Sequence, residues 1–162
     1  MKKFLSILLL LTMTLSLAAC GGKNDANQQE APDLNQYYED FIASLGEDNQ
    51  PAMADVEGEA LDTAFPGLSA LETRQLVVKT AMISAVPFEF ALAEAADASD
   101  VQAVADIFQA RIDYQIETGA FYPMTVEAWE KASIITQGNV VALICAGEEQ
   151  TRAEEAFNQL FQ

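Results

Sequence analysis

Arg111 and Gln115 stand four residues apart, a spacing that sets both side chains on one face of a helix. Tyr122, within Phe121-Tyr122-Pro123, follows on a connector that can return beside them. A guanidinium offers a rigid fork of donors matched to carboxylate or phosphate, so these three residues are a candidate contact for a small polar ligand or a partner. The same residues also read as a structural tie, with Arg111 paired to a buried carboxylate that fastens connector to helix. Asp55, Glu57 and Glu59, in Asp-Val-Glu-Gly-Glu, are the weak candidate for a cation site, since calcium takes oxygen ligands. EF-hand spacing is absent, because no Asp or Asn fills the intermediate positions before the glycine. The stretch therefore reads as a solvated acidic loop, and no metal is assigned.

The missing residue types narrow the chemistry further. There is no histidine among the 162 residues. That removes Ser-His-Asp and Cys-His catalysis, His-ligated zinc and the commonest general base. Cys145 sits in the apolar run Val140 to Cys145, where burial as a small hydrophobe is the expectation. With 25 acidic residues, no carboxylate pair can be singled out for glycosidase-type work. No catalytic residue and no cofactor is assigned.

The other cysteine carries an address. Lys2 and Lys3 precede an apolar run from Ile7 to Leu11, diluted further on by Thr12, Thr14 and Ser16. A positive start, a short greasy core and small residues before a cut make an export signal. A spanning helix needs about 20 predominantly apolar residues, more than this run supplies. Leu17-Ala18-Ala19-Cys20 resembles the bacterial lipoprotein lipobox. The resemblance implies cleavage between Ala19 and Cys20 and a diacylglycerol on the Cys20 thiol. Two acyl chains anchor far better than one, at about 0.8 kcal/mol per buried methylene. With Cys20 lipidated, Cys145 has no partner for a disulfide.

Loss of residues 1–19 removes two of the eight basic residues and none of the acidic ones, taking the net charge from −17 to −19. Nucleic acid and anionic lipid surfaces both demand a basic face, so neither is an expected partner through the general field. The expected organisation is a signal peptide over 1–19, the lipidated cysteine with a polar tether over 20–32, and one domain over 33–162. As a random coil the tether spans roughly 20 Å.

Periodicity places the elements. Leu34, Tyr37, Tyr38, Phe41, Ile42 and Leu45 recur at helical spacing behind Pro32-Asp33, with Gly46 as a stop. Residues 47–68 read as an irregular acidic stretch, and Ser69 with Glu72 has capping-box spacing. "LVVKTAMIS" and "FEFALAEA" read as an antiparallel pair; in the second, Phe88, Phe90 and Leu92 share one face and Glu89, Ala91 and Ala93 the other. Ser99 and Gln102 predict a cap for a helix over about 100–117, carrying Arg111 and Gln115. A short helix capped at Thr125 follows. Residues 133–145 read as a second hairpin turning at Gly138-Asn139, and a C-terminal amphipathic helix closes the chain. The fold class is α+β: a small antiparallel sheet of about four strands in two hairpins, packed against helices in one layer pair.

The order of "VVKTAMIS", "RIDYQIE", "FYP" and "GNVVALICA" resembles a bacterial lipoprotein family catalogued as domain of unknown function 4358, over roughly residues 60–162. Arg111, Gln115, Tyr122, Pro123 and Gly138 carry most of the likeness. That family has no established activity, so the resemblance implies class and location and transfers no catalytic residue. The expected role is a membrane-anchored lipoprotein on the extracytoplasmic face of the cell membrane, acting as an interaction or ligand-binding module with an envelope protein as candidate partner. The alternative is a carboxylate-based or metal-assisted envelope hydrolase. The chain is too short for the usual two-lobed solute receptor.

Overall fold

Val140 to Ala146 is apolar at every position, and all seven residues are buried, as a strand covered on both faces requires. The structure, a computed structural model, describes residues 31–162. Cys20, its expected cleavage site and nearly all of the expected tether lie outside the described residues. In chain order the elements are α1 (Leu34–Ser44), β1 (Met53–Asp55), α2 (Gly58–Ala64), β2 (Thr73–Ala81), β3 (Phe88–Ala95), α3 (Val101–Tyr114), α4 (Pro123–Glu130), β4 (Ser133–Gln137), β5 (Val140–Ala146) and α5 (Gln150–Gln159). The strands form one antiparallel sheet in the order β1-β2-β3-β5-β4, so the fold is α+β.

Both expected hairpins form. Gly138-Asn139 joins β4 to β5, with Gly138 in the left-handed region at φ 58°, where a side chain would be strained. The count of about four strands is corrected to five by β1, which lies inside the stretch read as irregular. Its register sets Asp55 opposite Lys79 on β2, and the two side chains form an ion pair. Three residues are too few to show alternation, so the strand leaves no pattern of its own.

Alternation along β3 and β5 divides the core in two. Ala91, Ala93, Val141, Leu143 and Cys145 pack with Phe65, Phe108 and Trp129 from the side of α2, α3 and α4. Phe90, Leu92, Ala142 and Ile144 pack with Tyr37, Phe41 and Phe157 from α1 and α5. Helices thus cover both faces, three layers where one layer pair was expected. The cause is the apolar second face of β5, which would otherwise meet water. Full burial of a side chain such as Phe90 stabilises by about 1.5–3 kcal/mol.

The helix starts show how local chemistry sets boundaries. Asp33 caps α1 by accepting the Gln36 N–H at 3.0 Å, and Gly46 at φ 79° ends it. The Tyr37 hydroxyl donates to the Ala153 carbonyl at 2.8 Å, fastening α1 to α5. The expected Ser99 cap is corrected: Asp97 accepts the Ser99 N–H at 2.8 Å and starts a 3-10 turn that leads into α3. An aspartate two residues before an N–H makes this local turn ahead of the serine. Ser69 starts no box either, since its hydroxyl donates to Asp62 while the chain past Glu72 enters β2. Thr125 sits in the first turn of α4, not ahead of it, and its Oγ1 accepts the Tyr122 N–H at 3.2 Å.

Candidate functional site

Glu89 is the second residue of β3, and alternation puts it on the face that carries Ala91 and Ala93, beneath α3. It is only 2% exposed. A carboxylate so placed is tolerated only with charged or hydrogen-bonding partners. Arg111, on the inner side of α3, supplies them. Its Nε donates to Oε1 at 2.8 Å and its Nη2 to Oε2 at 2.7 Å. The Thr80 hydroxyl adds a third bond to Oε2 at 3.1 Å. Thr80 and Cys145 are the residues opposite Glu89 on its two neighbouring strands, so the three form a row across the sheet.

The guanidinium is held among rings: the centroids of Phe65, Tyr114 and Trp129 lie 5.6, 5.9 and 5.9 Å from its central carbon. Such cation–π contacts favour a cation and fix its plane. Nη1 has no acceptor among the described residues. At the end of the row, Cys145 is fully buried and its Sγ lies 3.6 Å from the Pro87 carbonyl. Burial, then the Glu89 charge, push its thiol pKa up to about 12. A thiol so disposed stays protonated and is a poor nucleophile.

Past Tyr114 the helix widens into a π-turn over Gln115–Gly119, where the Ala120 N–H reaches the Gln115 carbonyl at 2.8 Å. Gly119 leaves room for the Gln115 amide, because a Cβ there would come within 2.3 Å of its Oε1. The π-turn and the β2–β3 loop bound a cleft of about 270 Å³, lined among others by Thr80, Met82, Glu89, Arg111, Gln115 and Trp129. A more open cleft of about 470 Å³ lies on the other side of Arg111, between Glu59, Thr63 and Tyr114. Arg111 forms part of the wall of both.

Of the three residues expected to meet, the structure brings Arg111 and Gln115 to one cleft. Tyr122 does not join them. It is 48% exposed and its ring packs edge-on against Phe121, at 5.6 Å between centroids. Its place beside the guanidinium belongs to Tyr114, three residues on from Arg111 along α3. Arg111 ties α3 to β3, not to the connector. The acidic trio is dispersed as well: Asp55 pairs with Lys79, Glu57 directly precedes α2 without a side-chain capping bond, and Glu59 lies in its first turn. Among the described residues no three of Asp, Glu or Cys converge on one point.

Glu89 and Thr80 are the site residues that spacing did not single out. The signal for Glu89 was present, in that an acid alternates with small apolar residues in "FEFALAEA". A strand facing a covered layer then demands a cation from elsewhere in the chain.

These features define a class: one antiparallel sheet between helix layers, with an Arg–Glu pair at the floor of a cleft. The family described as Domain of unknown function (DUF4358) matches residues 46–146, and the chain belongs to it. The match takes in β1 and α2, upstream of the expected start near residue 60, and stops at the end of β5 before α5. No curated protein and no solved structure matches the chain.

Proposed function

We propose that this chain is a lipid-anchored extracytoplasmic lipoprotein whose domain is an interaction module, engaging a partner at the cleft beside Arg111. The address is supported by Lys2, Lys3, the apolar run and Leu17-Ala18-Ala19-Cys20. No helix among the described residues is long and apolar enough to cross a membrane. The observation that carries the module reading is exposed apolar surface at and next to the lining of the cleft. Met82, 69% exposed, lines it, and Ile83 and Phe121, 61% and 87% exposed, are the chain neighbours of its lining residues Met82 and Ala120. Exposed aromatic and methionine side chains around a concavity suit recognition of a partner. By contrast, the carboxylate in this cleft, Glu89, has both oxygens engaged by Arg111 and Thr80, which leaves it poorly placed as an acid or base.

The test is made in cells on the full chain. The native N-terminal peptide is expected to begin at a diacylated Cys20 by mass spectrometry. A photoreactive amino acid at position 121 is expected to crosslink one protein, and Met82→Asp is expected to abolish that crosslink. An unmodified Cys20 overturns the address. Turnover of wall glycans or peptides by the purified chain, with no crosslink, overturns the module.

A further inference from the structure

The point where the chain joins the domain and the position of the cleft together bear on what the cleft can hold. Gln75 Nε2 donates to the Pro32 carbonyl at 3.1 Å, and the Leu34 N–H donates to Gln75 Oε1 at 3.0 Å. The start of the domain is thereby fastened near the first residues of β2. The cleft lies at the other end of that strand, at Thr80 and Met82. Six residues from Gln75 to Ala81 span about 20 Å. The start of the domain and the cleft therefore occupy opposite ends of this strand.

Charge narrows the occupant further. Residues 31–162 hold 23 acidic and five basic residues. Among the described residues four of those five cations, Arg74, Lys79, Arg111 and Arg152, are in ion pairs, leaving Lys131. Glu117 is exposed within the π-turn beside the cleft, and Glu127 lies one turn beyond Met124 on α4. Lys131 follows Glu127 by a further turn, and Arg111 is already neutralised by Glu89. Like charge disfavours a second copy of this chain and an anionic bilayer on this face. Neither Arg111 Nη1 nor the Gln115 amide has a hydrogen-bond partner among the described residues, so both can donate to main-chain carbonyls.

We propose that the cleft docks a cationic, apolar segment of a partner protein, at the end of β2 remote from the start of the domain. The inference rests on the module reading and adds the chemistry of the partner. The segment's apolar side chains meet Met82 and Phe121, its Lys or Arg side chains meet Glu117, and its backbone carbonyls accept from Arg111 and Gln115.

The experiment uses the full lipidated chain in nanodiscs of zwitterionic lipid, panned against a displayed library of short random peptides. Enriched peptides are resynthesised and titrated while following fluorescence of Trp129, the single tryptophan, which lines the cleft. Peptides combining Lys or Arg with Phe, Leu or Met are expected. Their affinity should fall about tenfold in Phe121→Ser, whose exposed site leaves melting unchanged. It should also fall several-fold as ionic strength rises from about 0.01 M to about 0.1 M. Acidic or uncharged peptides that still depend on Phe121 overturn the partner chemistry and leave the module reading standing. Binding of anionic vesicles, or self-association in sedimentation, that is lost in Phe121→Ser overturns the inference in favour of those occupants. Absence of any Phe121-dependent peptide overturns both readings.

Discussion

Arg111 grips both carboxylate oxygens of Glu89, joining α3 to β3 across 22 residues of sequence through a pair whose acid is almost wholly buried. Removing one member of such a pair leaves an uncompensated buried charge, at a cost of about 3–5 kcal/mol. Arg111→Ala is expected to destabilise by that order, with some of the loss coming from contact with the three rings. Glu89→Leu combined with Arg111→Met removes both charges and keeps volume, so the double variant should be closer to wild type than either single change. Urea unfolding of the four proteins supplies the cycle. A loss below about 0.5 kcal/mol for Arg111→Ala would place the pair among solvated surface bridges.

How much of this was legible in the sequence differs by element. α1, α3, α5 and the β4–β5 hairpin are long or strongly periodic, and the Asp33 cap of α1 and the turn glycine Gly138 stand at the ends of their patterns. β1 is three residues, and α2 offers one buried side chain, Leu61, amid acids. Neither makes a period, so an acidic loop was the natural reading of 47–68. The face of Glu89 was readable from alternation along β3. The identity of its partner was not, because docking of α3 on the sheet decides which helix residue lies above it. Tyr122 was misplaced for a similar reason: Pro123 starts α4 with Tyr122 ahead of its first turn, and the π-turn sends the connector outward. The second helix layer follows from β5, whose two apolar faces mark a central strand covered by helices.

Cys145 and the two tyrosines of α1 make the domain sensitive to alkali. Burial raises the Cys145 and Tyr38 pKa values to about 12 and raises that of Tyr37 as well. In the unfolded chain the thiol loses its proton near pH 9, whereas the folded protein keeps it. The unfolded state therefore binds fewer protons above pH 9, and stability falls as pH rises towards 12. The stabilising difference is fully present at neutral pH. Thermal melting should be flat from about pH 7 to 8.5 and decline above that. Cys145→Ala should soften the decline while costing about 1 kcal/mol at neutral pH through lost packing. Rapid reaction of native Cys145 with a thiol reagent at pH 8 would show that the row under α3 opens to solvent.

Salt and calcium should act on this acidic domain in different ways. A net charge of −17 over the chain, with four of the five cations among the described residues already paired, makes self-repulsion the dominant long-range field. The Debye length falls from about 30 Å at 0.01 M to about 10 Å at 0.1 M, so added sodium chloride should raise the melting temperature by screening. Calcium can exceed that general effect only through an oxygen cage of six to eight ligands, or roughly that number. Asp55 is tied to Lys79 across β1 and β2, and Glu57 and Glu59 sit at the start of α2 with no third carboxylate among the described residues converging on them. Millimolar calcium at matched ionic strength should therefore add little beyond magnesium or sodium. Melting curves in the three salts decide it. A calcium-specific rise of many degrees, removed by Asp55→Asn or Glu57→Gln, would mean that the acidic residues close on the ion and that the Asp55–Lys79 pair yields to it.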